Sequence, residues 1–146
     1  MSVLRINRAT YELIRAHGEQ TYPNECCGAL LRRSTLEGWE IDSAVQAGNT
    51  RTDSAHNRYQ ISPAALVKIE RESRSVGLNI AGFYHSHPDH PALWSQTDLA
   101  EAHWLGCTYI ITAVDRGNAA VTNAFLLTGE TEETKRFEFQ RIDVTD

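Results

Sequence analysis

Apolar residues recur at helical spacing near the start of the chain. Asn7 is typical of a helix N-cap and Pro23 ends the pattern, so the sequence predicts a first helix from Asn7 to about Thr21. The apolar positions that define this helix are Ala9, Tyr11, Leu13, Ile14 and Ala16.

The pattern then changes to short apolar runs separated by polar stretches. Residues 26–31, CCGALL, favour a buried strand, although their period alone does not exclude a helix. Gly38 marks a turn into a second predicted strand, residues 39–45. Residues 46–57 are polar and aperiodic and are predicted to form a surface loop, and residues 58–61 a short strand.

A second helix is predicted in the middle of the chain. Ser62 followed by Pro63 is typical of a helix start, and the apolar spacing continues to about residue 75, with Gly77 closing the helix. Residues 78–84 then predict a strand.

That strand is predicted to deliver a loop, residues 85–91, at its C-terminal end. Ser95 opens a third predicted helix, which runs to about residue 105 and is closed by Gly106. The candidate chemistry described below lies in this loop and at the start of this helix.

The last third of the chain predicts three strands. Residues 107–114 alternate and are rich in β-branched side chains. After a turn at residues 115–118, residues 119–127 and 135–142 are predicted to form an antiparallel pair joined by the acidic loop 128–134. The fold class predicted from all elements is an α/β (α+β) domain with a mixed, mostly β, sheet and about three helices.

Composition limits the domain count. The chain has 146 residues, of which 41% are hydrophobic, and contains no repeat or low-complexity run. A chain of this size can bury roughly 70% of its unfolded surface in one core, so residues 1–146 are predicted to form a single domain.

Charge and cysteine content exclude several classes. The net charge is −5 and the 14 Lys and Arg residues are scattered, which argues against a nucleic-acid partner. No segment is long and apolar enough for a membrane span or a secretory signal. The three cysteines, Cys26, Cys27 and Cys107, are a poor disulfide framework and fit a reducing cytosol, so we expect a cytoplasmic protein.

Two histidines separated by one residue suggest a metal site. His85 and His87 would point to the same face if the strand continues that far, and both imidazoles could then bind one ion. Catalytic zinc usually takes three protein ligands and leaves a fourth position open. Asp98, at the start of the next helix, is the best-placed third ligand, and Asp89 and Glu101 are competitors.

A purely structural interpretation is also available. Ser95 and Asp98 fit the capping box of a helix start, in which both side chains serve only orphan backbone N–H groups. A His-x-His pair beside Pro88 is equally common in an ordinary loop. Taken singly, these residues leave the two interpretations open.

The joint spacing resembles that of a known family. His85-x-His87, seven residues, Ser95, two residues and Asp98 are similar to the signature of the JAMM (MPN+) metalloproteases. The surrounding HSHP and the upstream YPNECCGALL agree with this family, in which a glutamate precedes a glycine and an apolar strand. The order of elements resembles the compact prokaryotic type of this family. It is similar to the sulfur-carrier-protein/cysteine peptidases, which release cysteine from the C-terminus of the carrier.

The resemblance implies a fold and a set of roles. It implies a mostly antiparallel, cytidine-deaminase-like sheet, zinc bound by His85, His87 and Asp98, Glu25 as acid/base, and Ser95 as support for the oxyanion. Spacing alone does not find Glu25.

Trp94 departs from the family pattern, in which a small residue or proline commonly precedes the serine. Trp94 and His90 are therefore candidates for substrate contact. This departure affects the rim of the site and hence substrate preference, because no ligand position is altered.

The resemblance also implies a partner and a reaction. The expected substrate is a ubiquitin-like (β-grasp) protein whose C-terminal Gly-Gly is followed by the cleaved amide bond. Short length favours release of cysteine or another amino acid from a sulfur-carrier protein. The alternatives are a deconjugase acting on protein lysines and an inactive scaffold, and the sequence allows a homodimer.

Overall fold

Eight strands form one mixed sheet in the computed structural model, which describes residues 2–33, 40–50 and 59–146. The strands are β1 (Val3–Asn7), β2 (Cys27–Arg33), β3 (Glu40–Ile41), β4 (Ser43–Ala47), β5 (Leu78–Pro88), β6 (Thr108–Asp115), β7 (Asn118–Thr128) and β8 (Arg136–Thr145). The helices are α1 (Arg8–Thr21), α2 (Pro63–Ser75) and α3 (Gln96–Glu101).

The strand order is β3-β1-β8-β7-β6-β5-β2-β4. Strand β5 lies near one end of this order, antiparallel to β2 and parallel to β6. Four of the seven neighbouring pairs are antiparallel, which confirms the predicted mixed, mostly antiparallel α+β class.

The two faces of the sheet are covered by different helices. Helix α1 covers one face, where Ile14 packs in a cluster with Tyr84 of β5. Helix α2 covers the other face, where Ile69 packs with Phe83. Adjacent residues of β5 therefore point to opposite cores, as the period of a strand requires.

Gly82 allows β5 to lie close to β6. A Cβ atom at this position would stand 1.8 Å from the carbonyl oxygen of Thr108, a backbone atom that no side-chain movement can clear. Only glycine fits there, so Gly82 maintains the pairing that continues to the two histidines.

Several predicted elements are confirmed. Asn7 caps α1, because its side chain accepts a hydrogen bond from the Thr10 backbone N–H at 2.8 Å. Ser62 caps α2 with Pro63 at the first position, as predicted. The pairs of strands β6–β7 and β7–β8 are antiparallel and close to the predicted bounds.

Strands β1 and β5 differ from the prediction. Strand β1 was not predicted: Leu4 and Ile6 alternate with exposed residues, but this run is too short to separate from the helical pattern that follows. Strand β5 continues to Pro88, because it pairs with β6 as far as Val114, so the histidines lie in a strand and not in a loop.

The second predicted strand is divided into β3 and β4 around Asp42, and the residue at its start, Trp39, lies outside the described residues, as does Gly38. The predicted loop 46–57 is wrong at residues 46–47, which belong to β4, and residues 51–57 are not described. Residues 59–61 do not form the predicted strand, and Arg58 is outside the described ranges.

Helix α3 is shorter than predicted and ends at Glu101 rather than near residue 105. The Lys135 ammonium donates to the carbonyls of Ala100, at 3.2 Å, and Ala102, at 2.7 Å. A residue far along the chain thus satisfies carbonyls at the helix end, and this contact cannot be seen in the local pattern. In the described part of the chain, no helix is long and apolar enough to cross a membrane.

Candidate active site

Three side chains converge at the end of β5. The Nε2 atoms of His85 and His87 are 3.2 Å apart. One carboxylate oxygen of Asp98 is 3.2 Å from His85 Nε2 and the other is 3.1 Å from His87 Nε2. The described residues contain this one group of three possible metal-ligating side chains.

The spacing of these atoms fits a zinc ion. Tetrahedral zinc with bond lengths near 2.0–2.1 Å places its ligand atoms about 3.3 Å apart. Two imidazoles and one carboxylate are also a donor set typical of catalytic zinc, which leaves one position open. Asp89 and Glu101, the competing ligands, lie outside this group.

Each histidine is held in place by a neighbour. The Nδ1 of His87 lies 2.8 Å from the carbonyl oxygen of Pro91, which can only accept, so Nδ1 carries a proton and Nε2 is the nitrogen that could bind a metal once deprotonated. The ring of His85 stacks on Tyr59, with ring centroids 4.5 Å apart. Sequence reasoning missed Tyr59, which no motif singled out.

Protonation preferences in the metal-free protein differ between the two histidines. Burial alone would lower the pKa of His87, but its hydrogen bonds with Asp98 and Pro91 outweigh burial and raise that pKa. Burial lowers the pKa of His85 and so favours its neutral, metal-binding form. Burial alone would raise the pKa of Asp98, but hydrogen bonds from His85 and His87 outweigh it and hold that pKa well below its usual range. The carboxylate of Asp98 is therefore anionic at neutral pH.

The capping box predicted from sequence is also present. The Ser95 hydroxyl accepts from the Asp98 backbone N–H at 3.0 Å, and an Asp98 oxygen accepts from the Ser95 backbone N–H at 2.8 Å. That same oxygen faces His87. One carboxylate oxygen thus serves the helix cap and also faces the candidate metal position, so the two interpretations of the sequence do not compete.

Glu25 reaches this site through the pairing of β2 with β5. Cys27 lies opposite His85 in this antiparallel register, so a residue two positions before Cys27 comes beside a residue two positions after His85. Glu25 lines the same cleft as His87 and Ser95. The fold brings together all five residues that the family resemblance implied.

The Glu25 side chain is buried without compensation. It is 4% exposed, and its Oε1 atom has no hydrogen-bond partner among the described residues. Burial raises the pKa of Glu25 from its ordinary 4.5 to about 8. Such a carboxyl group can take up a proton near neutral pH, as an acid/base catalyst must.

Because of this raised pKa, the difference in unfolding free energy between zinc-free Glu25→Gln and zinc-free wild type should change with pH. Between pH 4.5 and 8 the unfolded chain ionises Glu25 while the folded chain keeps it protonated, so folding loses about 1.4 kcal/mol per pH unit. Glu25→Gln lacks this loss. Its stability relative to wild type should therefore rise by about 2–4 kcal/mol from pH 5 to pH 8, as measured by urea unfolding in chelator.

Glu70→Gln is the matched control, because Glu70 is an exposed glutamate of α2. Its stability difference from wild type should stay constant over the same pH range. Parallel pH curves for wild type and Glu25→Gln would show that the Glu25 carboxyl is not destabilised by burial.

The cleft beside Glu25 contains both residues proposed for substrate contact. It has a volume of about 410 Å³. Trp94 lies in this cleft and packs on Phe137, with ring centroids 5.6 Å apart, while His90 is exposed at its rim. The lining residues are Glu25, His87, His90, Pro91, Leu93, Trp94, Ser95 and Thr97.

A second, more aromatic pocket adjoins the ring that stacks on His85. It has a volume of about 320 Å³ and includes Tyr59, the residue that stacks on His85. Its other lining residues are Gln60, Ile61, Leu66, Phe83, Glu101, His103, Trp104 and Tyr109.

The cysteines flanking Glu25 are free and buried. Burial raises the pKa of Cys26 to about 11 and that of Cys27 to about 12. Both side chains therefore remain thiols at neutral pH, whereas a metal ligand must be a thiolate.

Two histidines and one aspartate beside a buried glutamate are the arrangement of a candidate catalytic metal site. Comparison with known proteins identifies the family. The chain belongs to the prokaryotic homologs of the JAB domain, whose family model matches residues 7–128. A JAB1/MPN domain protein from Archaeoglobus fulgidus has a similar fold, with a TM-score of 0.60 at 15% identity over 98% of this chain and 100% of that chain.

Two curated relatives have names that state an enzymatic activity. A probable TtuB-protein conjugate cleaving protease from Thermus thermophilus is 33% identical over 113 residues, which cover 77% of this chain and 72% of that protein. A desampylase from Haloferax volcanii is 32% identical over 93 residues, covering 64% of this chain and just under two thirds, 65%, of that protein. These relatives indicate a hydrolase of the JAB type.

Proposed function

We propose that this protein is a zinc-dependent isopeptidase that hydrolyses the amide bond after the C-terminal Gly-Gly of a ubiquitin-like protein. The observation that carries the proposal is the convergence of the His85 and His87 Nε2 atoms, 3.2 Å apart, with the Asp98 carboxylate, which places one oxygen 3.1–3.2 Å from each of them, beside a buried glutamate with a raised pKa. An inactive scaffold would not need to keep an uncompensated carboxyl group in its core.

His85, His87 and Asp98 would hold the zinc ion. With zinc held there, the site would gain Lewis acidity, which would polarise the substrate carbonyl and lower the pKa of water at the open position to about 7. Glu25 accepts a proton from the attacking water and donates it to the leaving amine nitrogen.

Ser95 donates its hydroxyl hydrogen to the oxyanion that forms as the carbonyl carbon becomes tetrahedral. Its oxygen lone pair accepts from the Asp98 backbone N–H. A hydroxyl group both donates and accepts, so Ser95 can perform both roles at once.

The two pockets suggest an orientation for the substrate. The leaving amine takes its proton from Glu25, so the leaving group lies in the cleft that contains Glu25, Trp94 and His90. The acyl part, which ends in the diglycine, then extends toward the second pocket, past Tyr59, which stacks on His85. Strand β4 is the edge strand of the sheet and lies two strands from β5, which carries His85. A sheet edge is therefore near the site for a narrow extended tail to pair with.

The leaving group is proposed to be a protein lysine rather than a free amino acid. One relative is named for cleaving protein conjugates, which favours the deconjugase over release of cysteine from a sulfur carrier. The sulfur-carrier substrate, the cytoplasmic location, the single domain and the homodimer stay predictions from sequence.

A panel of conjugates tests this function. β-Grasp proteins ending in Gly-Gly are linked either to a lysine Nε of a carrier protein or to a single cysteine, with tails ending in Ala-Ala as controls. Purified protein with one equivalent of zinc should cleave the lysine-linked Gly-Gly conjugate, as read by intact mass. Cleavage of the cysteine-extended proteins alone would restore the sulfur-carrier substrate, and no cleavage of either class would contradict the proposed function.

A further inference from the structure

Tyr22 and Asp89 connect the two chain segments that carry the candidate catalytic groups. The Tyr22 hydroxyl donates to a carboxylate oxygen of Asp89 at 2.5 Å. Tyr22 lies three residues before Glu25, and Asp89 lies two residues after His87. This one hydrogen bond therefore attaches the glutamate segment to the end of the histidine strand.

Asp89 is itself firmly held. Its second carboxylate oxygen accepts from the Arg116 backbone N–H at 2.8 Å, and its own N–H donates to the Val114 carbonyl at 2.8 Å. Its φ is 57°, in the left-handed region, which aspartate adopts more readily than most residues other than glycine. Asp89 therefore turns the chain directly after β5 with a partner on each of its two carboxylate oxygens.

The other side of Glu25 is attached to the same strand. The Cys26 backbone N–H donates to the Ser86 hydroxyl at 2.8 Å, and the Ser86 backbone N–H donates to the Cys26 carbonyl at 3.3 Å. Glu25 thus lies between an attachment at Tyr22, to the residue after β5, and one at Cys26, to β5 itself, and its own carbonyl oxygen accepts from the Asn49 side-chain amide at 3.3 Å.

The Glu25 carboxylate depends on these attachments for its position. Its Oε1 atom has no hydrogen-bond partner in the described ranges, so the side chain does little to fix itself. Tyr22 is only partly buried, and its hydroxyl contact is therefore not explained by core packing.

We propose that Tyr22 and Asp89 are positioning residues that hold Glu25 at the correct distance from the His85–His87–Asp98 cluster. This inference rests on the proposed function, in which Glu25 transfers the proton. Displacement of a catalytic group by about 1 Å can cost on the order of 10²-fold in rate. Loss of the Tyr22 attachment alone should cost less than this, because those at Cys26 and Asn49 remain.

The test compares Tyr22→Phe, Asp89→Gly and the double variant. Glycine tolerates the positive φ of residue 89 and removes the carboxylate. With the lysine-linked conjugate, Tyr22→Phe should lower kcat about tenfold, with KM changed less than about twofold and one zinc per chain retained. The double variant should be within about twofold of Asp89→Gly, because both substitutions remove the same bond.

Two further variants separate positioning from general damage. Asp89→Asn keeps an acceptor for Arg116 and a polar partner for Tyr22, so it should recover most of the kcat lost in Asp89→Gly. Tyr11→Phe removes a hydroxyl from a partly buried tyrosine of α1 and should leave kcat unchanged.

Amide hydrogen exchange in the zinc-free protein provides a readout that needs no substrate. The Cys26 amide should exchange faster in Tyr22→Phe than in wild type or Tyr11→Phe. An unchanged Cys26 amide, a wild-type kcat in Tyr22→Phe, or independent losses that multiply in the double variant would each overturn the inference. If wild type cleaves no conjugate, the proposed function fails, while the exchange result still decides whether the contact holds the glutamate segment.

Discussion

Glu25→Gln is expected to lower kcat by about 10²–10⁴-fold while one zinc ion per chain remains bound. Glutamine has nearly the same size as glutamate but cannot take up and release a proton at neutral pH. Glu25 is not one of the three residues whose side chains converge as candidate ligands, so its replacement should leave zinc binding intact. Single-turnover cleavage of the lysine-linked conjugate and metal analysis of the same preparation measure both quantities.

Glu70→Gln, in the exposed face of α2, is the control for a neutralised glutamate. It should show wild-type kcat and zinc content. If Glu25→Gln retained wild-type kcat, the proton would have to move through another group, and the role assigned to Glu25 would be wrong. If it lost zinc as well, Glu25 would act as a ligand rather than as an acid/base.

The candidate metal ligands could be predicted from the sequence because they are close together in the chain. His85 and His87 are two residues apart in a strand, and Asp98 follows at a helix start marked by Ser95. Local periodicity predicts that such side chains meet. The strand was nevertheless predicted to end before them, because Pro88 suggested a loop and the pairing of β5 with β6 is not visible locally.

Glu25 could not be placed by periodicity. It lies sixty residues before His85 and reaches the cleft only through the register of β2 with β5. Register between strands distant in sequence is set by the assembled sheet, to which the local pattern gives no access. Only the resemblance to a family singled out Glu25.

The positioning residues around the site were missed for a similar reason. Tyr59 stacks on His85, and Lys135 satisfies carbonyls at the end of α3. Both contacts join segments far apart in the chain, and neither residue type is unusual in its local sequence. A single sequence therefore predicts ligands grouped in one motif more readily than the groups that hold them.

Asp98→Asn is expected to lower zinc affinity by at least about 10²-fold and to reduce cleavage in proportion at limiting zinc. Asparagine keeps an oxygen that can accept from the Ser95 backbone N–H, at 2.8 Å in the wild type, so the helix cap should survive. It removes the negative charge that faces His85 and His87. Competition with a zinc-chelating dye measures the affinity, and urea unfolding of the zinc-free variant verifies that the helix cap is retained.

The matched control is Asp143→Asn, which neutralises an exposed aspartate of β8 whose carboxylate lies 3.9 Å from Arg5. It should bind zinc as wild type does. If Asp98 is the third zinc ligand, added zinc should restore much of the activity of Asp98→Asn, because Glu25 and Ser95 stay in place. If Asp98→Asn bound zinc with wild-type affinity, the third ligand would instead be Asp89 or Glu101. This outcome would require the site to rearrange, since Asp89 already engages Tyr22 and Arg116.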